Sequence, residues 1–135
     1  MKAFIVGCGR VGAHVASELD SEHTVTVIDW NPSSFDRLST DFSGEAIVGN
    51  GIDVDVLRLA NAQASDVFMA LTDSDNTNLT AAQIAHEIGA GRAIARVYDA
   101  QRSEIYEELG LTPVSPTVYG AQRLFDLVVA AEEEL

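Results

Sequence analysis

Six short apolar segments, each followed by a stretch with helical signals, alternate along the chain, and this alternation decides the fold class before any motif is considered. Phe4 to Val6, Val25 to Ile28, Ala46 to Val48, Val67 to Leu71, Ile94 to Val97 and Thr112 to Val114 read as strands. Gly9 to Leu19 reads as the first helix, with Val11 and Val15 on one face beside Gly12, Ala16 and Leu19. A second is predicted from Asn31 to about Asp41, because Asn can cap and Pro32 fits a first turn. Asp53 to Ala60 predicts a short helix with Val56, Leu57 and Ala60 inward, and another runs from about Asn76 to a stop at Gly89. Asp99 can cap a helix carrying Ile105, Tyr106 and Leu109 and ended by Gly110, and Val118 to about Glu132 forms the last. Strand–helix repetition implies a parallel sheet with helices on both faces and right-handed crossovers. Two halves of three strands each make an α/β, doubly wound, Rossmann-type domain with a six-stranded sheet.

Composition narrows the setting. The chain has 135 residues, 47% of them hydrophobic, which is one domain with a real core and excludes a disordered chain. No Pro- or Ser-rich linker, repeat or low-complexity tract divides it. No apolar run is long enough to span a bilayer, and the N-terminus enters a strand at once without a signal-peptide pattern. The single cysteine, Cys8, has no internal disulfide partner, so a cytoplasmic protein is expected. The net charge of −13 argues against binding nucleic acid or anionic lipid directly. It leaves open a membrane protein with a basic cytoplasmic face as a partner.

The first strand runs into Gly7-Cys8-Gly9-Arg10-Val11-Gly12, which opens the first helix. A GxGxxG pattern alone is a weak signal, but strand, loop and helix stand in the order that phosphate binding requires. Gly7 permits the tight turn, Gly9 lets the backbone approach a pyrophosphate, and Gly12 lets the helix pack close. The second strand ends at Asp29, about 20 residues on, where a carboxylate accepts bonds from ribose hydroxyls and repels a 2′-phosphate. NAD or a simple adenosine nucleotide is favoured over NADP. The competing reading, a glycine turn with a surface Asp and no ligand, leaves this register without a purpose. Arg10 has two readings: a guanidinium that reaches a pyrophosphate or terminal phosphate, or a solvated arginine at a helix start. Cys8 reads as a small loop residue; a redox role would require the helix N-terminus to depress its thiol pKa.

The residues assembled so far resemble the N-terminal nucleotide-binding domain of Trk/Ktr-type potassium-uptake regulators, the RCK or KTN domain. The likeness runs over nearly the whole chain. It is carried by the glycine loop, Val27-Ile28-Asp29, Gly49-Asn50-Gly51, Ala93-Ile94-Ala95-Arg96-Val97, Leu109-Gly110 with Ser115-Pro116, and most specifically Ala70-Leu71-Thr72-Asp73-Ser74-Asp75-Asn76-Thr77-Asn78-Leu79. The resemblance implies a regulatory subunit rather than an enzyme. It implies a domain that binds NAD(H), ATP or ADP, assembles as dimers and then rings, possible octamers included, and gates a membrane potassium channel or transporter. On this footing residues 1–116 are the nucleotide-binding domain and 117–135 a C-terminal helix at a dimer contact. The protein would lie in the cytoplasm, peripheral to the inner membrane through its transporter. The nucleotide-contacting set it implies is Gly7, Gly9, Arg10, Val11, Gly12, Asp29, Trp30, Asn50, Gly51, Leu71, Thr72 and Arg96. Asp29 would hold the ribose, Asn50 lie beside the adenine, Leu71 and Thr72 line the far side, and Arg10 and Arg96 approach phosphate. Glu107 falls where some relatives place an acid near a divalent cation between protomers. Two departures stand out: Asn50 replaces a usual acidic residue, and the second domain that often follows in these regulators is absent from the chain.

Other constellations carry less. Asp73, Asp75 and Asn76 lack the full calcium-loop pattern and read as a capped loop before a helix. His14, His23 and His86 fit no metal spacing, and no catalytic triad can be argued. An NAD-dependent oxidoreductase would need another chain for its substrate, because the nucleotide fold consumes the whole length. A redox-sensing repressor lacks a helix-turn-helix or basic patch. In the last helix Val118, Ala121, Leu124, Phe125 and Val128 form one apolar stripe, and Leu127, Ala130 and Ala131 widen it. One stripe suffices to cover a sheet; the extra width points to a partner subunit, against the alternative of deep burial within the monomer.

Overall fold

The strand that precedes the glycine loop lies in the middle of the sheet. In the computed structural model, which describes residues 1–135, β1 (Lys2–Val6) pairs with β2 (Thr24–Asp29) on one side and β4 (Val67–Ala70) on the other. Beyond them lie β3 (Glu45–Val48) at one edge and β5 (Arg92–Arg96) and β6 (Thr112–Val114) towards the other. The sheet has six strands in the order β3-β2-β1-β4-β5-β6, every pair parallel. The chain therefore reverses its direction of travel across the sheet between β1 and β4. In open parallel sheets ligands bind outside the carboxyl ends of the strands at such a switch point.

Alternation along the central strands sends side chains to two cores. On one face Phe4, Val6, Ile28, Phe68 and Ala70 pack with Leu57 of α2 (Val54–Leu59) and Ala81, Ala82 and Ala85 of α3 (Asp75–Ile88). The Phe4 and Phe68 rings stack with centroids 5.4 Å apart. On the other face Ala3, Ile5, Val25, Val27 and Met69 pack with Ala13 and Ala16 of α1 (Arg10–Asp20). The small residues on α1 and α3 let both helices sit close to the sheet. Tyr106 of α4 (Ser103–Glu108) is buried in the first core and donates its hydroxyl to the carbonyl of Asp75 at 3.1 Å. Gly89 and Gly110 end their helices with φ of +107° and +82°, as the sequence predicts.

One expectation fails, and one open alternative falls. The helix predicted from Asn31 to Asp41 is only a 3-10 turn over Pro32–Arg37. Asn31 does cap it, accepting from the Ser33 amide at 3.1 Å. Beyond Arg37 the chain becomes extended at Leu38, and the Ser39 amide donates to Ser17 Oγ on α1 at 3.0 Å. Serine, aspartate and threonine in this stretch compete for backbone partners and disfavour a continued helix. The last helix, α5 (Pro116–Glu133), covers no face of the sheet: residues 117–128 are all exposed. Its apolar stripe is not buried in the monomer.

Candidate nucleotide site

At the carboxyl end of β1 the chain turns through Gly7, whose φ is +103° and whose amide donates to the Ile28 carbonyl at 2.8 Å. A side chain at Gly7 would meet the backbone of Thr72. Gly12 sits one helical turn further, directly against the carbonyl oxygen of Gly7, where a Cβ has no room. These two contacts draw the start of α1 onto the end of β1. Gly9 has ordinary dihedrals, and a Cβ there would meet nothing. Its lack of a side chain leaves space open above the helix.

That helix start is left uncapped. Asp53, Ser74 and Ser115 cap α2, α3 and α5 through their side chains, whereas Gly9 provides no such bond to α1. The first-turn amides therefore point at open space with the positive end of the helix dipole behind them, the arrangement that binds phosphate. Asp29 stands beside the loop. Its Oδ2 accepts from the Cys8 amide at 2.7 Å and its Oδ1 from the Asn31 amide at 2.8 Å. Two amides thus fix the carboxylate, and each oxygen retains a lone pair for an outside donor.

Two cavities meet at this loop and share Gly7, Asp29, Thr72 and Asp73. One, of about 380 Å³, is lined on its far side by Trp30, Gly49, Asn50, Gly51, Ser74 and Thr77. The other, of about 580 Å³, holds Gly9, Arg10, Val11, Ser34, Arg37, Leu71, Arg96 and Tyr98. The first has the shape and lining for an adenosine and the second the charge for phosphates. Trp30 is 75% exposed at the first cavity's mouth and offers a stacking face. Asn50 Oδ1 accepts from the Ile52 amide at 3.1 Å, which leaves its NH2 donor and one Oδ1 lone pair for other partners. An acid at this position would offer only acceptors.

Arg10, Arg37 and Arg96 line the second cavity, three of the eight Lys and Arg residues in the chain, with Asp29 and Asp73 opposite. None of them pairs with a carboxylate; the one salt bridge in the structure is His14–Glu18 at 4.0 Å. The Arg96 guanidinium lies 4.4 Å from the centroid of the Tyr98 ring, and its Nε is buried without a partner. A buried, unpartnered Arg96 Nε beside two exposed arginines that form no ion pair fits a bound anion. The residues present therefore fit a nucleotide.

Asn78 organises the far wall. It is fully buried, and its Oδ1 accepts from the Thr72 amide at 2.9 Å and the Thr72 hydroxyl at 2.7 Å. Its Nδ2 donates to the Thr72 carbonyl at 3.1 Å and the Arg96 carbonyl at 3.0 Å. One side chain on α3 thus ties together the ends of β4 and β5. Asp75 extends the arrangement by accepting from the Tyr98 and Asp99 amides at 2.7 and 3.1 Å. The acidic stretch is a capped loop, as read from sequence, with Ser74 as the cap and Asp75 as a brace.

Of the residues singled out from sequence, all but Gly12 and Glu107 line one of the two cavities. Gly12 works from below, through its packing on Gly7. Glu107 is exposed on α4, away from the cleft, and no three acidic, His or Cys side chains come together to hold a metal. A divalent ion there would need ligands from a second protomer. Cys8 is fully buried, and its thiol pKa is raised by burial and by the Asp29 carboxylate, against an opposing effect of Arg37. A depressed, reactive thiol is thus not formed. Sequence reasoning missed Arg37 and Asn78.

Fold and cleft together define the class: a Rossmann-type nucleotide-binding domain. Within that class the chain belongs to the TrkA-N domain family, whose pattern matches residues 3–116. It is 40% identical over 126 residues to a Trk system potassium uptake protein TrkA of Streptomyces coelicolor, covering 92% of this chain and 56% of that protein. The chain thus spans little more than half the length of that relative. Among solved structures it resembles the Kef C-terminal domain of Shewanella denitrificans in its AMP-bound form, with a TM-score of 0.80, 21% identity, and 97% and 81% of the two chains covered. It also resembles the GsuK channel bound to NAD, with a TM-score of 0.71, 21% identity, and 84% and 21% covered. At such identities these likenesses show the fold.

Proposed function

We propose that this chain is a nucleotide-sensing regulatory domain of a Trk/Ktr-type potassium channel or transporter, and not an enzyme. The uncapped start of α1, facing three unpaired arginines, carries the reading. Asp29 takes the ribose, Trp30, Asn50 and Gly51 flank the adenine, Arg10 and Arg96 receive phosphate, and Leu71 and Thr72 close the far side. The ligand is NAD(H) or ATP/ADP. Bound AMP and NAD in the two structures of like fold support an adenine nucleotide. The potassium uptake relative supports the transport setting.

In this reading the domain works in the cytoplasm, held at the inner membrane by its transporter partner. No helix is long and apolar enough to cross a membrane. Copies associate as dimers, and then as a ring of up to eight subunits, through α5, where Leu124, Phe125 and Val128 are each more than 60% exposed. A strictly monomeric chain at high concentration in sedimentation runs against that contact. A ligand regulates only if it favours one of two assembly states over the other. Flux through the partner transporter in proteoliposomes tests this. Potassium or rubidium uptake should change on adding ATP, ADP, NAD or NADH with this chain present, and Asp29→Ala should remove the change. Uptake that ignores both chain and nucleotide contradicts the proposal.

A further inference from the structure

The phosphate cavity does not end at the glycine loop. Arg10 and Arg37 also border an open depression of about 550 Å³ over α1, completed by Ala13, His14, Ser17 and Ser39. No carboxylate lines this depression, on a chain whose net charge is −13. Glu18 lies 4.0 Å from His14 at its border. Between the two cavities stands Arg37, which belongs to both.

Arg37 is placed firmly despite its exposure. It closes the 3-10 turn Pro32–Arg37, and Phe35 and Leu38 on either side of it pack into the α1 core. One residue beyond, the Ser39 amide is bonded to Ser17 on α1. The guanidinium therefore projects from an anchored segment, forms no ion pair, and is close enough to the loop to act on the Cys8 thiol. A cation so held, at the exit of a cavity that already carries Arg10 and Arg96, extends the positive field away from the helix start.

We propose that Arg37 is a specificity-determining residue that receives the terminal phosphoryl groups of a nucleoside di- or triphosphate, with the depression over α1 as the subsite into which the phosphate chain extends. This rests on the nucleotide-sensing reading of the same cleft. The first phosphate sits on the α1 amides, which every adenine nucleotide can use. Only a longer chain reaches Arg37. Discrimination between one phosphate and two or three thus resides in a side chain outside the glycine loop.

Calorimetric titration of the chain with AMP, ADP and ATP, using wild type, Arg37→Gln, Arg37→Lys and the distant control Arg58→Gln, tests the assignment. Loss of one charged hydrogen-bonding partner predicts ATP binding weakened roughly tenfold to a hundredfold in Arg37→Gln. AMP affinity should stay within about twofold, Arg37→Lys should recover part of the loss, and Arg58→Gln should resemble wild type. An equal loss for AMP and ATP would assign Arg37 a structural role and overturn the proposal, as would unchanged ATP affinity. If the wild-type chain binds none of the three, this proposal fails, and the nucleotide reading then stands or falls on NAD and NADH. If AMP binds as expected but chain length makes no difference in wild type, only this proposal fails.

Discussion

Gly12→Ala is expected to destabilise the chain by roughly 3 kcal/mol or more, because overpacking against backbone has no side chain that can yield. The added methyl would collide with the carbonyl oxygen of Gly7, in the turn that joins β1 to α1. Relief requires α1 to lift from the sheet, which disturbs the packing of Ala13 and Ala16 on Ile5 and Val27. It also moves the uncapped amides away from Asp29 and so removes nucleotide binding. Urea unfolding followed by circular dichroism reads the first effect, and a wild-type midpoint would contradict the packing argument. Gly9→Ala is the informative comparison, since a Cβ there meets nothing in the protein. That variant should keep its stability and lose affinity only.

Asn78→Ala should have the second largest effect. It strips partners from the Thr72 amide and hydroxyl and from the Thr72 and Arg96 carbonyls, around a residue with no solvent exposure. Each buried group left unpaired costs about 1–3 kcal/mol, so a total loss of about 2–5 kcal/mol is expected where water enters to satisfy part of the set. Asn78→Asp is no rescue. It keeps the acceptor for Thr72 but loses the donor and sets a carboxylate against two carbonyl oxygens. Where either variant remains folded in the cold, amide exchange should show the Thr72 loop and the end of β5 opening together. Protection there equal to wild type would mean that Asn78 is not the tie between them.

These two predictions differ in how visible their basis is in sequence. Gly7, Gly9, Gly12 and Asp29 are legible because their roles follow from a short local register of strand, loop and helix. The two halves of the parallel sheet follow from the alternation of elements, whereas the strand order is read from the structure. Asn78 and Arg37 were not legible, because each matters through a contact set by the folded topology. Asn78 reaches Arg96 across 18 residues, and the segment carrying Arg37 is pinned to Ser17 across 22. A polar residue within a helical stretch, or an arginine in a serine-rich turn, has no local signature of such work. The false helix from Asn31 to Asp41 shows the converse: its cap signal was correct, but a cap starts a helix without sustaining it. In α5 the width of the apolar surface was visible in the sequence, whereas its separation from the sheet was not.

The central claim is that the cleft at the glycine loop binds an adenine nucleotide, and calorimetric titration tests it most directly. ATP, ADP, AMP, NAD and NADH are each titrated into wild type, Asp29→Ala and Arg10→Ala. At least one nucleotide should bind the wild-type chain more tightly than about 1 mM, some −4 kcal/mol, and Asp29→Ala should weaken it by about tenfold or more through loss of the ribose contact. No saturable heat from any of the five at that limit, or binding indifferent to Asp29, would contradict the account.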